Sequence, residues 1–548
     1  MRILICHGYL LRGTGSNQYV QSLARALCGL GHNLVIACQE PDPSLDFVSL
    51  YMVEEAGSGT PGVAWQKETG FRGTCMVLKP FIGGLLPVYV MDSYQGFEVK
   101  EFTALDSGEL DSYVESNRRS LDRLLDRFRP DAILVNHAVM LPAIVRPVAG
   151  DYGIPYSVCI HGSAIDFAVR RDSRYLEYGA RGLAGSERIF VPSAHTADAV
   201  SEVFAGLVSG LEEKVKLVPP GVDTGLIQPA AGELTGSLRL LGERIEERTR
   251  GVIALGHGGR AGEEGPGDSF DEIRAQAQSI NASHPDWLPE EGVLLKLAEV
   301  ARARRPFLVF LGKLLETKGL QCVLPAWPMI LKDHPGATLV VVGFGELRGL
   351  LEMMINALQA GDAALLRELC RFGNREYTRG EDAFGPVLGF LDRLEAAGEL
   401  EGYLEMCSTL PVSGSVIFTG YLTIEEHSLI LPHATALLAP SIAPEAFGLV
   451  VTEAMAAGVV PLAPVHTGLR TAMEPLASIM GESRGSVEIS TGPGMVESIY
   501  SAAGYLLEQP REELMRLGDA LREVVVSRFS WDSVADRIAG SFQDPQEP

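Results

Sequence analysis

The stretch from Pro444 to Gly458 constrains the fold more than any other part of this sequence. It begins as a loop and continues as a helix, in which 454–457 are good helix formers and Gly458 is placed to end it. Apolar runs at 434–439 and 459–463 flank it and are predicted to be buried strands. We therefore expect a strand–loop–helix–strand crossover, with its loop at the edge of a parallel sheet where ligands bind.

Two acids fall in this largely apolar unit, Glu445 in the loop and Glu453 on the helix. A carboxylate suits a vicinal diol, because each oxygen can accept one hydroxyl. The backbone N–H groups of Phe447, Gly448 and Leu449 point out of the helix start, where an anion is favoured. The crossover therefore predicts contacts to sugar hydroxyls and to phosphate. A surface helix with two solvated acids is the other interpretation, and the apolar flanks disfavour it.

The same segment resembles the E-x7-E signature of family 4 glycosyltransferases, the retaining GT-B enzymes that use nucleotide-sugar donors. The two acids have the spacing of that signature (453 − 445 = 8), with Phe-Gly-Leu between them. The resemblance implies an α/β fold with two Rossmann-like domains facing across a cleft, here with mostly helical inserts. It also implies that Glu445 contacts the donor sugar and Glu453 the ribose.

Two lysines follow the predicted strand at 307–311. Lys313 and Lys318 lie between that strand and a helix, so they can converge on one diphosphate and neutralise the charge on the leaving group. A polar turn with two free lysines is the alternative. The segment resembles the family's G-R-x-x-x-x-K-G motif, with Lys313 in place of arginine, which keeps the charge but gives up bidentate geometry.

Two further donor contacts follow strands in this half. Gly343 begins a tight turn after a predicted strand at 338–342. Tyr421 follows the predicted strand at 416–418, in a segment that resembles the family's strand and loop beside the nucleotide base. We expect both residues to line the donor site.

The N-terminal half opens with a βαβ pattern whose first loop is rich in glycine. Residues 13–18 almost match G-x-G-x-x-G, but Gln18 takes the place of the third glycine, and a tight turn that only packs is an open alternative. The loop also resembles the family's N-terminal glycine loop, which reaches toward donor phosphate and acceptor. Gly15 and Ser16 are therefore candidates for amide contacts to the donor.

His137 and His161 each follow a predicted strand of this half, at 131–135 and 156–160. Each alone could be a satisfied structural histidine. The family carries histidines that face the donor sugar at both places, and we favour His137 for direct contact. The expected catalytic residues are therefore His137, Lys318 and Glu445.

Arg170 and Arg171 stand together in an acidic chain. They are either a solvated pair or a clamp for an anionic acceptor, and the clamp is a speculative assignment.

The predicted domain organisation has four parts. They are an N-terminal Rossmann-like acceptor-side domain (1–225), a partly flexible insert or linker (226–304), a C-terminal Rossmann-like nucleotide-sugar domain with a helical insert at 346–412 (305–525), and a closing helix with its tail (526–548). Within them, 256–271 reads as a flexible loop and 544–548 as a disordered tail, while 40–110 reads as irregular.

Composition excludes several classes of function. The net charge of −24 over 548 residues argues against nucleic acid and against strong attachment to an anionic membrane, although a local basic patch could still give peripheral contact. The sequence predicts neither a signal peptide nor a membrane span. Its eight cysteines form no C-x-x-C pair, which favours a reduced cytoplasm. No D-x-D or zinc-type spacing occurs, so we expect no metal and no cofactor.

These observations together predict a retaining hexosyltransferase-like enzyme that uses a UDP- or GDP-linked sugar and an unidentified acceptor, without metal. With no evident covalent nucleophile, direct front-face transfer is preferred. One alternative is an NAD(P)-dependent oxidoreductase, which would use Gly13, Gly15 and Glu40. The other is a catalytically silent sugar-nucleotide binder. The oligomeric state is not predicted.

Overall fold

The computed structural model describes residues 1–543 except 14, 58–59, 91–93, 95, 251–269, 285–286 and 379–381. It divides into two compact units, the first formed by Met1–Asp223 with the residues from Ser527 onward, and the second by Thr224–Val526. Most of the flexible loop predicted at 256–271, and all of the tail predicted at 544–548, lie outside the described residues.

The first unit is built on a mostly parallel sheet. Its strands are β1 Arg2–Cys6, β2 Asn33–Ala37, β3 Leu50–Val53, β4 Gly62–Gln66, β5 Cys75–Lys79, β6 Leu85–Val88, β7 Glu98–Glu101, β8 Ala132–Asn136, β9 Tyr156–Cys159, β10 Ile189–Val191 and β11 Val215–Leu217. One sheet has the order β11-β10-β9-β8-β1-β2-β5-β3-β4, and β6 pairs with β7. In the larger sheet only β4 runs antiparallel to its neighbour.

Helices cover both faces of this sheet. The helices of this part are α1 Gly15–Gly29, α2 Ser107–Phe128, α3 Leu141–Tyr152, α4 Ser173–Ala184, α5 Ala194–Phe204 and α6 Leu211–Lys214. Successive residues of a strand face opposite sides, so Leu4 and Ile3 enter two different apolar cores. This two-sided burial explains why the strands read as continuous apolar runs.

The prediction that 40–110 is irregular is wrong. Strands β3 to β7 fall in this range, and β5 lies between β2 and β3 in the sheet. Each is only four or five residues long, and β5 pairs with β2, from which β3 and β4 separate it in sequence. Strands this short leave little periodic signal, and the glycines and prolines between them dominated the pattern.

The second unit carries a five-stranded parallel sheet. Its strands are β12 Phe307–Leu311, β13 Thr338–Val342, β14 Val416–Gly420, β15 Ala436–Leu438 and β16 Val460–Leu462. Their order is β14-β13-β12-β15-β16. The chain moves outward from β12 on one side and then on the other, so the order reverses between β12 and β15. A crevice opens at the carboxyl ends of strands at such a switch point.

Helices of the second unit lie before, between and after these strands. They are α7 Leu234–Thr249, α8 Asp271–Ser283, α9 Val293–Ala303, α10 Leu320–Asp333, α11 Arg348–Ala360, α12 Ala363–Glu376, α13 Gly385–Ala397, α14 Leu400–Thr409, α15 Ile424–His427, α16 Leu449–Ala456, α17 Thr467–Ala472, α18 Glu474–Met480, α19 Met495–Leu507 and α20 Arg511–Phe529. The segment 226–304 thus supplies α7, α8 and α9, and 346–412 supplies α11 to α14.

The last helix, α21 Trp531–Gln543, returns to the first unit and packs on α1. Its Val534 and Ile538 join the apolar core beneath Ile3. Gly221 allows this packing, because a Cβ there would lie 2.5 Å from the Trp531 ring. Among the described helices, none combines the length and the apolar character needed to cross a bilayer.

Candidate active site

The switch point of the second unit brings Lys318 and Glu445 into direct contact. Lys318 lies in the turn after β12 and Glu445 in the loop after β15, and Lys318 Nζ is 2.5 Å from Glu445 Oε1. The Ser441 hydroxyl donates to the same carboxylate oxygen at 2.8 Å. Both side chains of the ion pair are partly exposed, at 34% and 21%, so a ligand can reach them. A predicted cation and a predicted acid therefore form an ion pair.

The two loops are joined by close backbone contact. Gly319 has φ +75°, and a Cβ on it would lie 1.9 Å from the carbonyl oxygen of Pro440. The Ile442 N–H donates to the Thr317 carbonyl at 3.0 Å. Only glycine permits this approach, which sets the position of Lys318 against the loop that carries Glu445.

The Glu445 backbone is held by the turn that follows β16. Its N–H donates to Thr467 Oγ1 at 3.0 Å, and its carbonyl accepts the Gly468 N–H at 2.9 Å. His466 Nε2 donates to the Ser441 carbonyl at 3.0 Å, so His466 Nδ1 accepts from the Thr467 hydroxyl at 3.0 Å. This network restrains Glu445 through three polar side chains.

Glu453 lies on α16 in a far more apolar setting. Val451, Ala454 and Met455 around it are fully buried. Burial raises the pKa of the Glu453 carboxyl to about 7. No hydrogen bond or ion pair engages this carboxyl among the described residues. It is therefore a half-buried group that can both donate and accept a hydrogen bond near neutral pH.

Residues 447 and 448 lead into α16, which begins at Leu449. Gly448 is its N-terminal cap with φ +106°, and a Cβ on it would lie 2.5 Å from Leu469 Cδ2. Phe447 is buried in the core at 3% exposure, so its contribution to a ligand is through the backbone. The first N–H groups of a helix have no partner within the helix, and Leu449 supplies one of them.

The turns after β12 and β13 touch each other. Gly343 has φ +151°, and a Cβ on it would lie 1.8 Å from the Gly312 carbonyl oxygen. The Leu314 N–H donates to the Phe344 carbonyl at 2.8 Å. Lys313 is exposed beside this contact, with no ion-pair partner in the described part of the chain. Gly343 thus permits the backbone approach that places Lys313 at the same sheet edge.

His137 is the most unusual side chain of the first unit. It follows β8, has φ +70° and is buried at 2% exposure. Neither ring nitrogen has a hydrogen-bond partner within the described residues. The ring centroid lies 5.0 Å from that of His161 and 5.8 Å from that of His7. Burial lowers the pKa of His137 well below its usual value, so the imidazole is neutral.

Two asparagines orient the flanking histidines. Asn17 Nδ2 donates to the Arg12 carbonyl at 2.7 Å, so Asn17 Oδ1 is the group that accepts from His7 Nε2 at 2.9 Å. Asn136 Nδ2 donates to the Cys6 carbonyl, and Asn136 Oδ1 accepts from His161 Nε2 at 2.9 Å. Both histidines therefore carry their proton on Nε2.

Burial also keeps these two imidazoles neutral. It lowers the pKa of His7 to about 4 and that of His161 to about 3. The neutral ring of His161, which is half-buried, has its Nδ1 lone pair as an acceptor. His7, Asn17 and Asn136 were absent from the sequence prediction, although Asn136 directly precedes His137 and Asn17 lies within the glycine loop.

The glycine loop leads into α1, which begins at Gly15. Gly15 is exposed and Ser16 half-buried, and Gln18, which replaces the third glycine, is exposed on the helix. Gly13 takes φ +102°, a left-handed value that favours glycine. The two predicted donor contacts therefore lie at a helix N-terminus.

The structure places Arg170 and Arg171 in unequal surroundings. Arg170 forms ion pairs with Asp166 at 3.0 Å and with Glu202 at 2.6 Å. Arg171 is exposed, with its guanidinium 4.9 Å from the centre of the Phe167 ring. Two acids already offset the charge of Arg170, so a joint clamp would have to break these pairs.

Glu40, on which the oxidoreductase interpretation depends, is buried within the first unit. Its carboxylate accepts the Leu11 N–H at 2.9 Å, and its exposure is 4%. That carboxylate is engaged inside the protein, so it does not offer two oxygens to a ribose.

The two α/β units, with parallel sheets and a polar switch point, define a protein of the GT-B glycosyltransferase class. Residues 14–221 match the model of the glycosyl transferase 4-like domain, and residues 393–478 match that of the glycosyl transferases group 1. The chain belongs to the family 4-like glycosyltransferases.

One curated relative is an MMP alpha-(1->4)-mannosyltransferase of Mycolicibacterium hassiacum. It is 31% identical over 156 residues, a match that covers 28% of this chain and 35% of the relative. The matched segment thus spans about a third of that protein's length.

Two solved structures share the fold over nearly the whole chain. The catalytic domain of Starch Synthase IV from Arabidopsis thaliana, bound to ADP and acarbose, is 13% identical with a TM-score of 0.53, and the match covers 99% of each chain. Sucrose-phosphate synthase from Thermosynechococcus elongatus is 15% identical with a TM-score of 0.51, covering 99% of this chain and 98% of that one.

Proposed function

We propose that this protein transfers a glycosyl group from a nucleotide-diphosphate sugar to an acceptor, with retention at the anomeric carbon and without metal. The observation that carries the proposal is the contact between Lys318 and Glu445 at the switch point of the second unit. A cation for phosphate and a carboxylate for sugar hydroxyls meet there at the sheet edge where α/β proteins bind ligands.

Positive charge for the departing diphosphate comes from Lys313, Lys318 and the start of α16. Lys318 is already held against the loop of Glu445, so little reorganisation is needed when negative charge develops. The N–H groups at the start of α16 add the positive end of a helix dipole. These groups can stabilise the leaving nucleotide without a divalent ion.

The donor sugar is bound by Glu445. Its Oε1 accepts from Lys318 and Ser441, and its backbone is held by Thr467. Such an oriented carboxylate can accept a sugar hydroxyl at Oε2. Glu453 accepts hydrogen bonds from the two hydroxyls of the ribose, and its raised pKa makes that contact sensitive to pH near neutrality.

The first unit is proposed to contribute His137 and to bind the acceptor. A neutral, unpartnered imidazole can accept or donate one hydrogen bond to a sugar hydroxyl without charge repulsion. Within the described parts of the two units, no side chain stands out as a covalent nucleophile, which favours direct front-face transfer. Gly15 and Ser16 are proposed to contact the donor phosphate, and His161 the donor sugar.

We further propose a UDP- or GDP-linked donor and a cytoplasmic location. The eight cysteines are free and buried, which suits a reducing compartment. A starch synthase of the same fold is described bound to ADP, which is compatible with a nucleotide site in this fold.

The proposal is tested by a thermal-shift screen of nucleotide sugars followed by assays of transfer and donor hydrolysis. A bound donor raises the melting temperature by mass action. In Lys318→Ala and in Glu445→Ala, turnover is expected to fall by about 100-fold or more, because each removes a group oriented for the reaction. Lys332→Ala is the matched control, since Lys332 is exposed on α10.

Near-normal turnover in either site variant, with circular dichroism unchanged, would refute the assignment. A melting shift without transfer or hydrolysis in the wild-type protein would instead identify a silent sugar-nucleotide binder. Enhanced fluorescence of added NADH would favour the oxidoreductase.

A further inference from the structure

An exposed aromatic cluster lies at the carboxyl ends of β13 and β14. It consists of Trp287, Phe344 and Tyr421, with ring centroids 4.5 Å, 5.0 Å and 5.4 Å apart. Trp287 is 49% exposed, whereas the other two rings are half-buried. A tryptophan with half its surface in water, packed on two more rings, presents a face on which a flat ligand can stack.

Trp287 comes from the segment between α8 and α9, far in sequence from both strands. Backbone hydrogen bonds hold this segment on the edge of β14: the Glu290 N–H donates to Thr419 at 2.8 Å, and the Tyr421 N–H donates to Leu288 at 2.9 Å. Gly420 permits the contact, because a Cβ on it would lie 2.4 Å from the Leu288 carbonyl oxygen. The segment is therefore paired with the edge strand β14 of the five-stranded sheet.

Two arginines hold the segment in place. Arg348, only 8% exposed, pairs with Glu290 at 2.8 Å. Arg248 donates to the Trp287 carbonyl at 2.8 Å and pairs with the buried Glu426 at 2.8 Å. Trp287 itself has φ +69°, an unfavourable value for a tryptophan. A strained backbone that so many contacts maintain is typical of a residue with a function.

The aromatic cluster adjoins the turns that carry the proposed diphosphate site. Phe344 follows Gly343 directly, and its carbonyl accepts the N–H of Leu314, the residue after Lys313. A nucleoside diphosphate held by Lys313 at this edge would therefore bring its base toward the rings.

We propose that the aromatic cluster binds the base of the nucleotide donor, and that Trp287 is the residue of the 226–304 segment that stacks on it. This inference rests on the proposed function and deepens it. It gives the 226–304 segment a role in donor recognition, because Trp287 is the most exposed ring of the aromatic cluster.

The test compares wild-type protein with Trp287→Ala, Trp287→Phe and the control Trp65→Phe, whose tryptophan lies on β4 of the first unit. Binding of UDP, GDP, ADP and inorganic pyrophosphate is measured by calorimetry. For the nucleotide that binds the wild-type protein, Trp287→Ala is expected to weaken binding about tenfold, because stacking on an aromatic face contributes that order of affinity. Trp287→Phe and the control should bind like wild type.

Pyrophosphate has no base, so its affinity should be the same in wild type and Trp287→Ala. Equal nucleotide affinity in these two proteins would overturn the inference while leaving the proposed function intact. An equal loss of pyrophosphate and nucleotide affinity would also overturn it, because the effect would then be on the whole site. If the wild-type protein binds none of the nucleotides, the proposed function is refuted, and the inference that rests on it is refuted as well.

A second readout follows the bound base directly. The chain has four tryptophans, and a base stacked on Trp287 should quench the fluorescence of that one. Nucleotide-induced quenching should persist in Trp65→Phe and vanish in Trp287→Phe, although the latter still binds. Quenching that survives in Trp287→Phe would contradict the assignment. Unchanged melting temperatures without ligand confirm that the variants are folded.

Discussion

Glu453→Gln is the substitution whose effect the structure defines most sharply. Glu453 is half-buried on α16 among fully buried apolar residues, and burial raises the pKa of its carboxyl from 4.5 to about 7. Glutamine has nearly the same shape and does not titrate. The stability difference between the two proteins should therefore depend on pH.

The sign and size of this dependence follow from proton linkage. Below pH 4.5 the carboxyl is protonated in the folded and the unfolded chain, so wild type has its full unfolding free energy relative to Glu453→Gln. As the pH rises toward 7 the unfolded chain releases the proton while the folded chain keeps it, so the folded state loses stability. Above about pH 7 this loss of unfolding free energy is complete. Moving the pKa from 4.5 to about 7 corresponds to about 3 kcal/mol of unfolding free energy at most.

The assay is urea unfolding followed by circular dichroism at intervals from about pH 4 to pH 9, a range that brackets the shifted pKa. Relative to Glu453→Gln, wild type should lose stability progressively up to about neutral pH and no further above it. Glu401→Gln, at an exposed position on α14, is the matched control and should track wild type. A difference between wild type and Glu453→Gln that does not change with pH would refute the reasoning.

Three further substitutions test individual contacts. Gly343→Ala should cost at least about 2 kcal/mol of unfolding free energy, because its Cβ meets a carbonyl oxygen at 1.8 Å with φ at +151°, while Gly485→Ala, at an open position, should cost far less. Arg348→Met should destabilise the second unit by about 2–3 kcal/mol in urea unfolding, since it leaves two carboxylates without their cation. Asn136→Ala should release His161 from its Nε2–H tautomer, visible as a change in the ring ¹⁵N shifts; unchanged shifts would contradict that role.

Much of the candidate site was predictable because its parts are local. A strand, a turn with two lysines and a helix appear in sequence as an apolar run followed by glycines and cations. The crossover with Glu445 and Glu453 has the same local character, and its strands and helix lie where the pattern placed them. Local patterns of this kind depend on propensity and periodicity, which a single sequence displays.

Contacts between distant segments were not predictable in the same way. Ser441, His466 and Asn17 are ordinary polar residues in sequence, and only the order of the strands gives them partners. Trp287 lies in a segment with no assigned role, and it reaches the sheet edge through pairing with β14. Ser441 lies four residues before Glu445, and this proximity in sequence was the one sign of its role. Proximity does not distinguish a residue that contacts Glu445 from an ordinary turn residue.

The sequence by itself determined the class of fold and the identity of the charged residues at its loops, because local periodicity and turn residues predict strands, turns and helix ends. Tertiary structure alone decided that Lys318 binds Glu445 across 127 positions and that burial raises the pKa of the half-buried Glu453 carboxyl to about 7. The physical reason is that ion pairing and desolvation depend on which segments meet in space, and the order of strands in the sheet sets those meetings.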